Sequence, residues 1–572
     1  MKKLVYGDEA STSFGGKTRR FLNSAGGLAY IVVDGWQLCS LNGPCPDCDA
    51  SPEVISLHWE CLQVFQSCCV LQGDDALSRL WVAAAWKTPW RKAVPRFLPS
   101  EAVASASLVQ LCKISALPPF HTLPQEMVEM IHSYCEDALL WKAAVAYDLA
   151  TNISATAPVP LTTAPLSNVV SWERGGPPQT VSQPPESWSQ SRLRITVDWV
   201  GIKKIEHTSD QDYKRECSPR YAYVVLDEKD LGLYNAHFKD GYARLELLSD
   251  ATPDVWNTPT PPERLLIRAY KPSRYPNQHL FAAELADLSG ITFFFAADTG
   301  SFYHIYVHRP GATCADLTWL KCYDLPWLTW CYLPMPRSDR VIALSLRHAV
   351  PKNLSLGELC GRYAEWKRFL SVMVKMEKAG DVIIGSPIQE QGHVGDYLLC
   401  WHPPVTLVYS QVTLEPIIFL GAYCRSGPPA EPVDWPAHEP KTCPIKDEVM
   451  LFSTASLEDL RSVEVFYGAD HGGRYCSGML LYYKNGACRA VGQCRIGIDS
   501  TRKFDKPSRF CFRMEVFGSL VDWGNESHSE VSGWSCNPLK GRIECWFSHS
   551  SSVISVHNGL GLPLPCGSNT KQ

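Results

Sequence analysis

The chain has 572 residues, 45% of them hydrophobic and 20% charged, with a formal net charge of -5 at pH 7. That composition argues against a disordered chain, and the length allows two to four domains, each able to bury its own core. The slight acidic balance gives no reason to expect a nucleic acid or an anionic membrane as partner, since both select for concentrated Lys and Arg.

The N-terminal stretch MKKLVYGDEASTSFGGK carries two lysines but reaches Gly7 and Asp8 before any long apolar run, so it does not read as a secretory signal. No apolar span long enough for a transmembrane helix follows. An intracellular protein is expected, and its 23 Cys then read as reduced, buried thiols or metal ligands rather than as a disulfide scaffold.

Residues 1–70 read as a small module. LAYIVVDGWQLC (28–39) is a hairpin pattern around Asp34-Gly35, and CPDCDASPEVISLHWEC (45–61) follows it. Cys45-x2-Cys48 and His58-x2-Cys61 could complete a closed tetrahedral zinc site that supplies folding energy to a module short of core. The other reading has Cys48 facing solvent, Cys61 in the core with Leu62 and Phe65, and His58 capping a helix. Residues 71–150 read as helical. ALSRLWVAAAW (76–86) has the length and composition of a helix, and HTLPQEMVEMIHSYCEDALLWKAAVAYDLA (121–150) has strong helical spacing. Within it Met127, Met130, Ile131 and Tyr134 share a face that Val128 and Cys135 widen, leaving Glu129, His132 and Ser133 on the polar side.

From Thr151 to Arg192, Pro, Ser and Thr dominate and apolar periodicity fades, which predicts a linker. Beyond it the period changes to two. In LRITVDW, Leu193, Ile195, Val197 and Trp199 alternate with Arg194, Thr196 and Asp198. Similar runs recur at 221–226, 243–248, 291–295, 341–347, 463–467, 510–517 and 542–547, and Asn485-Gly486 signals a two-residue hairpin turn. The predicted fold class is an α+β multidomain protein: a small helical N-terminal region, then a large, mostly antiparallel β region of sandwich or barrel type. The β region divides as 193–420, with one inserted helix over 355–380, and 421–572 as a second domain or a continuation.

The order Leu123-Pro124-x-Glu126-Met127-Val128-x-x-Ile131-x-x-Tyr134 resembles the start of the F-box, the helical module that docks on the Skp-type linker subunit of cullin ubiquitin ligases. The resemblance implies Leu123, Pro124, Met127, Ile131 and Tyr134 as partner contacts. It is specific over about a dozen residues; the later segment keeps Leu139, Leu140 and Trp141 but lacks the family's Cys-Arg-x-Trp. The whole chain also resembles uncharacterised filamentous-fungal F-box-like multidomain proteins, through GAYCRSGPP (421–429) and GACRAVGQCRIGID (486–499), a resemblance that implies no activity for the β region.

No catalytic constellation stands out. FGGKTRR (14–20) has Ser11 where a phosphate loop requires glycine, and there is neither a Gly-x-Ser-x-Gly elbow nor a His-Glu-x-x-His pair. The expected function is therefore non-enzymatic: a substrate-recognition adaptor of a cullin-type ligase, with an unidentified protein target held by the β region. The alternative is a lectin-like or small-ligand-binding β protein whose helices are purely structural.

Overall fold

The computed structural model describes mainly residues 3–7, 30–33, 36–39, 54–91, 105–114, 123–135, 138–208, 218–263, 266–270, 279–297, 302–311, 328–350, 370–385, 393–410, 417–423, 433–436, 449–468, 475–515, 518–524 and 533–557, with short gaps and with isolated positions such as Ala93 and His528. It is mostly antiparallel β, in several sheets, with a group of helices in the first third. Two compact units divide the chain, Met1–Thr260 and Pro261–Gln572. The expected boundaries at 192/193 and 420/421 thus fall inside units.

The first unit opens with β1 (Lys3–Gly7), β2 (Tyr30–Val33), β3 (Trp36–Cys39) and β4 (Val54–His58). Val33 pairs with Trp36, so the expected hairpin forms, and β1 runs parallel to β4. Among the described residues five helices follow: α1 (Trp59–Cys68), α2 (Gly73–Ala85), α3 (Ser105–Ile114), α4 (Gln125–Tyr134) and α5 (Leu139–Ala155). Leu62 and Phe65 of α1 and Ala76 and Leu80 of α2 bury against Ala150 and Ile153 of α5. Leu108, Leu111 and Cys112 of α3 bury against Trp141 and Ala144 of the same helix. Shared between two clusters, α5 has to be apolar around much of its circumference, and its sequence is.

After α5 come β5 (Thr162–Pro165), β6 (Val169–Glu173), β7 (Gln179–Thr180), β8 (Arg192–Asp198), β9 (Gly201–Thr208), β10 (Ala222–Asp227), β11 (Tyr234–Lys239), β12 (Tyr242–Leu247) and β13 (Val255–Trp256). Six of them lie side by side in the order β13-β10-β8-β9-β6-β7, and β12-β11-β5 form a second sheet. The predicted linker over 151–192 is therefore a correction: its described residues include the end of α5, the strands β5, β6 and β7, a short 3-10 turn at Leu166–Asn168 and the first residue of β8. The prolines misled because β5 and β7 are outer strands, where a missing N–H breaks no ladder. Leu166, Val169 and Trp172 are buried between them. The Leu245 N–H of β12 donates to the Pro89 carbonyl at 2.8 Å, and Arg79 Nη2 of α2 donates to the Thr156 carbonyl just past α5 at 2.8 Å.

In the second unit the period-two runs form strands as expected. The strand Gly290–Ala296 lies between Phe302–His308 and Leu328–Pro334 and is buried along its whole length. Its Phe293 and Phe295 enter the large core with Leu346, Val374, Val465 and Phe547, while Phe294 packs on Leu328 and Trp330 on the opposite face. The helix expected over 355–380 is a second correction. Leu370–Met376 is a strand, paired with Val341–Val350 and, through a hairpin, with Gly380–Ile384; 351–369 lie outside the described residues. Val372, Met373, Val374 and Met376 are all buried. A strand covered on both faces loses its polar alternation, and a short apolar run then cannot be told from a helix by periodicity. Gly380, at φ 71°, opens the second strand of this hairpin rather than ending a helix.

Candidate functional site

The helix α4 begins directly after Pro124. Pro124, at φ -54° and ψ 148°, stands just ahead of the first turn, and its carbonyl accepts the N–H groups of Met127 and Val128 at 3.0 and 3.2 Å. Its missing N–H costs nothing there. At the other end the Cys135 N–H returns to the carbonyls of Ile131 and His132.

The apolar stripe of α4 is split between interior and solvent. Val128 and Ile131 pack against the Leu108, Leu111 and Trp141 cluster. His132, expected on the polar side, meets the Trp141 ring edge-on at 4.8 Å, and the Trp141 indole N–H donates to Cys135 Sγ at 3.5 Å. Met127 and Met130 face water instead, 47% and 57% exposed, and Leu139 at the start of α5 is 49% exposed. Pro124 is exposed and Leu123 half-buried. Of the five residues proposed as contacts, Pro124 and Met127 are therefore open, Leu123 is partly open and Ile131 is turned toward the core. Tyr134 closes the helix, and its side chain lies outside the described residues. Met130, absent from that set, is more exposed than Met127.

The proposed zinc ligands are only partly described. Cys45 and Cys48 lie outside the described residues. His58 ends β4, and Cys61 is half-buried in the first turn of α1 beside the buried Leu62 and Phe65. Among the described residues no three His, Cys, Asp or Glu side chains form a metal-holding group.

A second site was not foreseen. Glu173 of β6, Lys204 of β9, Thr196 of β8 and Tyr223 of β10 are successive cross-strand partners, a row that lines a cavity of about 280 Å³. Arg194, Lys203 and Tyr221 complete much of its wall. Glu206 ties the cations together, 2.6 Å from Lys204 Nζ and 2.8 Å from Arg194 Nη2. Burial opposes its charge, but the hydrogen bonds and charges of Lys204 and Arg194 prevail and hold its carboxyl below the usual range. Lys203 Nζ donates to the Tyr221 hydroxyl at 2.9 Å. Cations set among tyrosine rings can hold an anionic or hydroxyl-rich ligand. The alternation in LRITVDW places Arg194 and Thr196 outward, but which residues of β9 and β10 lie beside them depends on register.

No protein-family model matches the chain, and no curated protein matches its sequence at a significant level. Among the described residues no helix is long and apolar enough to cross a membrane.

Proposed function

We propose that this chain is a substrate-recognition adaptor of a cullin-type ubiquitin ligase, docking through α4 on a Skp-type linker subunit and holding a protein target on its β-strands. The observation that carries the reading is the pair Met127 and Met130, large apolar side chains about half exposed immediately after a Leu-Pro corner. Flexible thioether side chains on an exposed helix face suit an apolar groove. Leu123 and Pro124 would seat the corner, Met127 and Met130 the face, and Ile131 would fix the helix to its own core.

The mechanism is proximity, so no residue here performs covalent chemistry. The folded 151–192 segment changes how reach is set: α4 and the strands of the first unit belong to one compact body, and a target held there would be presented at a fixed offset rather than on a flexible tether. The test is co-purification of the full chain with a Skp-type linker subunit, where a stoichiometric complex supports the reading and its absence defeats it.

The row Lys204-Thr196-Tyr223 favours a second reading, a ligand-binding β protein with structural helices. A screen of acidic sugars by thermal shift, with Lys204→Ala as control, tests it; stabilisation that disappears in the variant is the supporting result.

A further inference from the structure

In the second unit, Cys511 of the strand Arg509–Glu515 is the direct antiparallel partner of Cys536 in Ser535–Pro538, and on its other side faces Asp522 of Gly518–Asp522. Directly opposed residues project to the same face with Cα atoms about 4.5–5.5 Å apart, inside the span of about 4.4–6.8 Å that a disulfide bridges. Cys511 is buried and Cys536 half-buried. The His528 main-chain N–H donates to Cys536 Sγ at 3.4 Å, its imidazole lies 3.2 Å from Asp522 Oδ2, and its ring stacks on Trp534 at 4.1 Å. These contacts hold the half-buried thiol in place beside its partner. None of the other cysteines in the described strand pairings faces a second cysteine.

We propose that Cys511 and Cys536 are a covalent modification site, closing to a reversible disulfide by exchange with a low-molecular-weight disulfide of the glutathione type. Cys536 gives its proton to solvent, and its thiolate attacks one sulfur of the small disulfide, forming a mixed disulfide and expelling one small thiolate. Cys511 then loses its proton and attacks the Cys536 sulfur, expelling the second. Two protein thiols are oxidised, one small disulfide is reduced to two thiols, and the protons released by the protein end on those thiols. The order follows from access, because Cys511 is shielded, and burial and the adjacent Cys536 thiol raise its pKa. Ser535–Pro538 is the outer strand of its sheet, so the bond ties an edge to its neighbour.

The experiment equilibrates the reduced full chain with glutathione disulfide at stepped ratios to glutathione, then alkylates free thiols and maps peptides without reduction. The expected result is a single cross-linked pair containing Cys511 and Cys536, an intact mass lower by two hydrogens, and reversal by excess glutathione; Cys536→Ser removes the cross-link and leaves Cys511 unmodified. Both thiols remaining free at every ratio, glutathione retained on Cys536 without a cross-link, or a bond to a different cysteine would overturn the proposal. The unmutated chain alone decides among these results if the variant fails to fold.

Discussion

Asp198 accepts hydrogen bonds from both terminal nitrogens of Arg174, at 2.8 and 2.7 Å, and from the N–H groups of Val200 and Gly201, at 2.8 and 3.1 Å. Its side chain is 4% exposed, so one carboxylate closes the β8–β9 turn and anchors β6 to it. Removing one member of a buried pair strands the other, and Asp198→Ala should destabilise the first unit by about 3–5 kcal/mol. Urea denaturation of the full chain measures it. The double substitution Arg174→Met/Asp198→Leu should lose less than Asp198→Ala alone, and an equal or greater loss would contradict this account of the pair.

Two histidines of the second unit make its stability depend on pH. Burial lowers His304 to about 3 and His308 to about 4; the former meets Phe294 edge-on, and the latter lies 2.7 Å from Thr292 Oγ1. Both folded values lie below the unfolded value of about 6.5. The folded state therefore keeps them neutral while the unfolded chain takes up protons. Their contribution is complete above the unfolded value and is lost as pH falls from about 6.5 toward 3–4, at up to about 1.4 kcal/mol per histidine per pH unit. Stability should drop by about 3–4 kcal/mol between pH 7 and pH 5 from these two groups. His304→Gln/His308→Gln should show a flatter profile in urea titrations, and parallel profiles would refute the assignment.

Gly478 and Gly492 face each other across a strand pair. A Cβ on Gly478 would lie 2.5 Å from the Gln493 carbonyl oxygen and 2.9 Å from Cys494 Sγ; one on Gly492, at φ 75°, would lie 2.7 Å from the Ser477 oxygen. Either alanine substitution should cost at least about 1–3 kcal/mol through overpacking, with added backbone strain at Gly492. Thermal unfolding of each variant measures the loss, and an unchanged midpoint would show that the sheet yields freely at this point.

Local regularities were the legible part of the sequence. The strands around Ile195, Leu344, Val465 and Ile543 follow from alternation, that around Phe293 from a short apolar run, and the helices within 121–150 from apolar spacing. The Asn485-Gly486 hairpin also forms, though with a wider turn than expected. Gly486 alone takes positive φ, at 88°, its N–H returns to the Tyr483 carbonyl, and the Asn485 side chain accepts the Ala487 N–H at 2.9 Å. What stayed hidden depends on partners distant in the chain. Asp198 reads as an outward polar residue until Arg174 is placed beside it, and Leu370–Met376 reads as helix until strands cover both its faces. The division of the α4 stripe likewise follows from the position of Trp141, and the Lys204-Thr196-Tyr223 row from the register of three strands.

The most direct measurement is calorimetric titration of a purified Skp-type linker subunit into the full chain and into Met127→Asp/Met130→Asp. Both methionines are surface residues, so the variant should keep its unfolding midpoint, with stability within about 0.5 kcal/mol per site. The account predicts saturable binding to the unmutated chain and at least a tenfold loss in the variant, about 1.4 kcal/mol or more. Equal affinity for both proteins, or no binding to the unmutated chain, would contradict it.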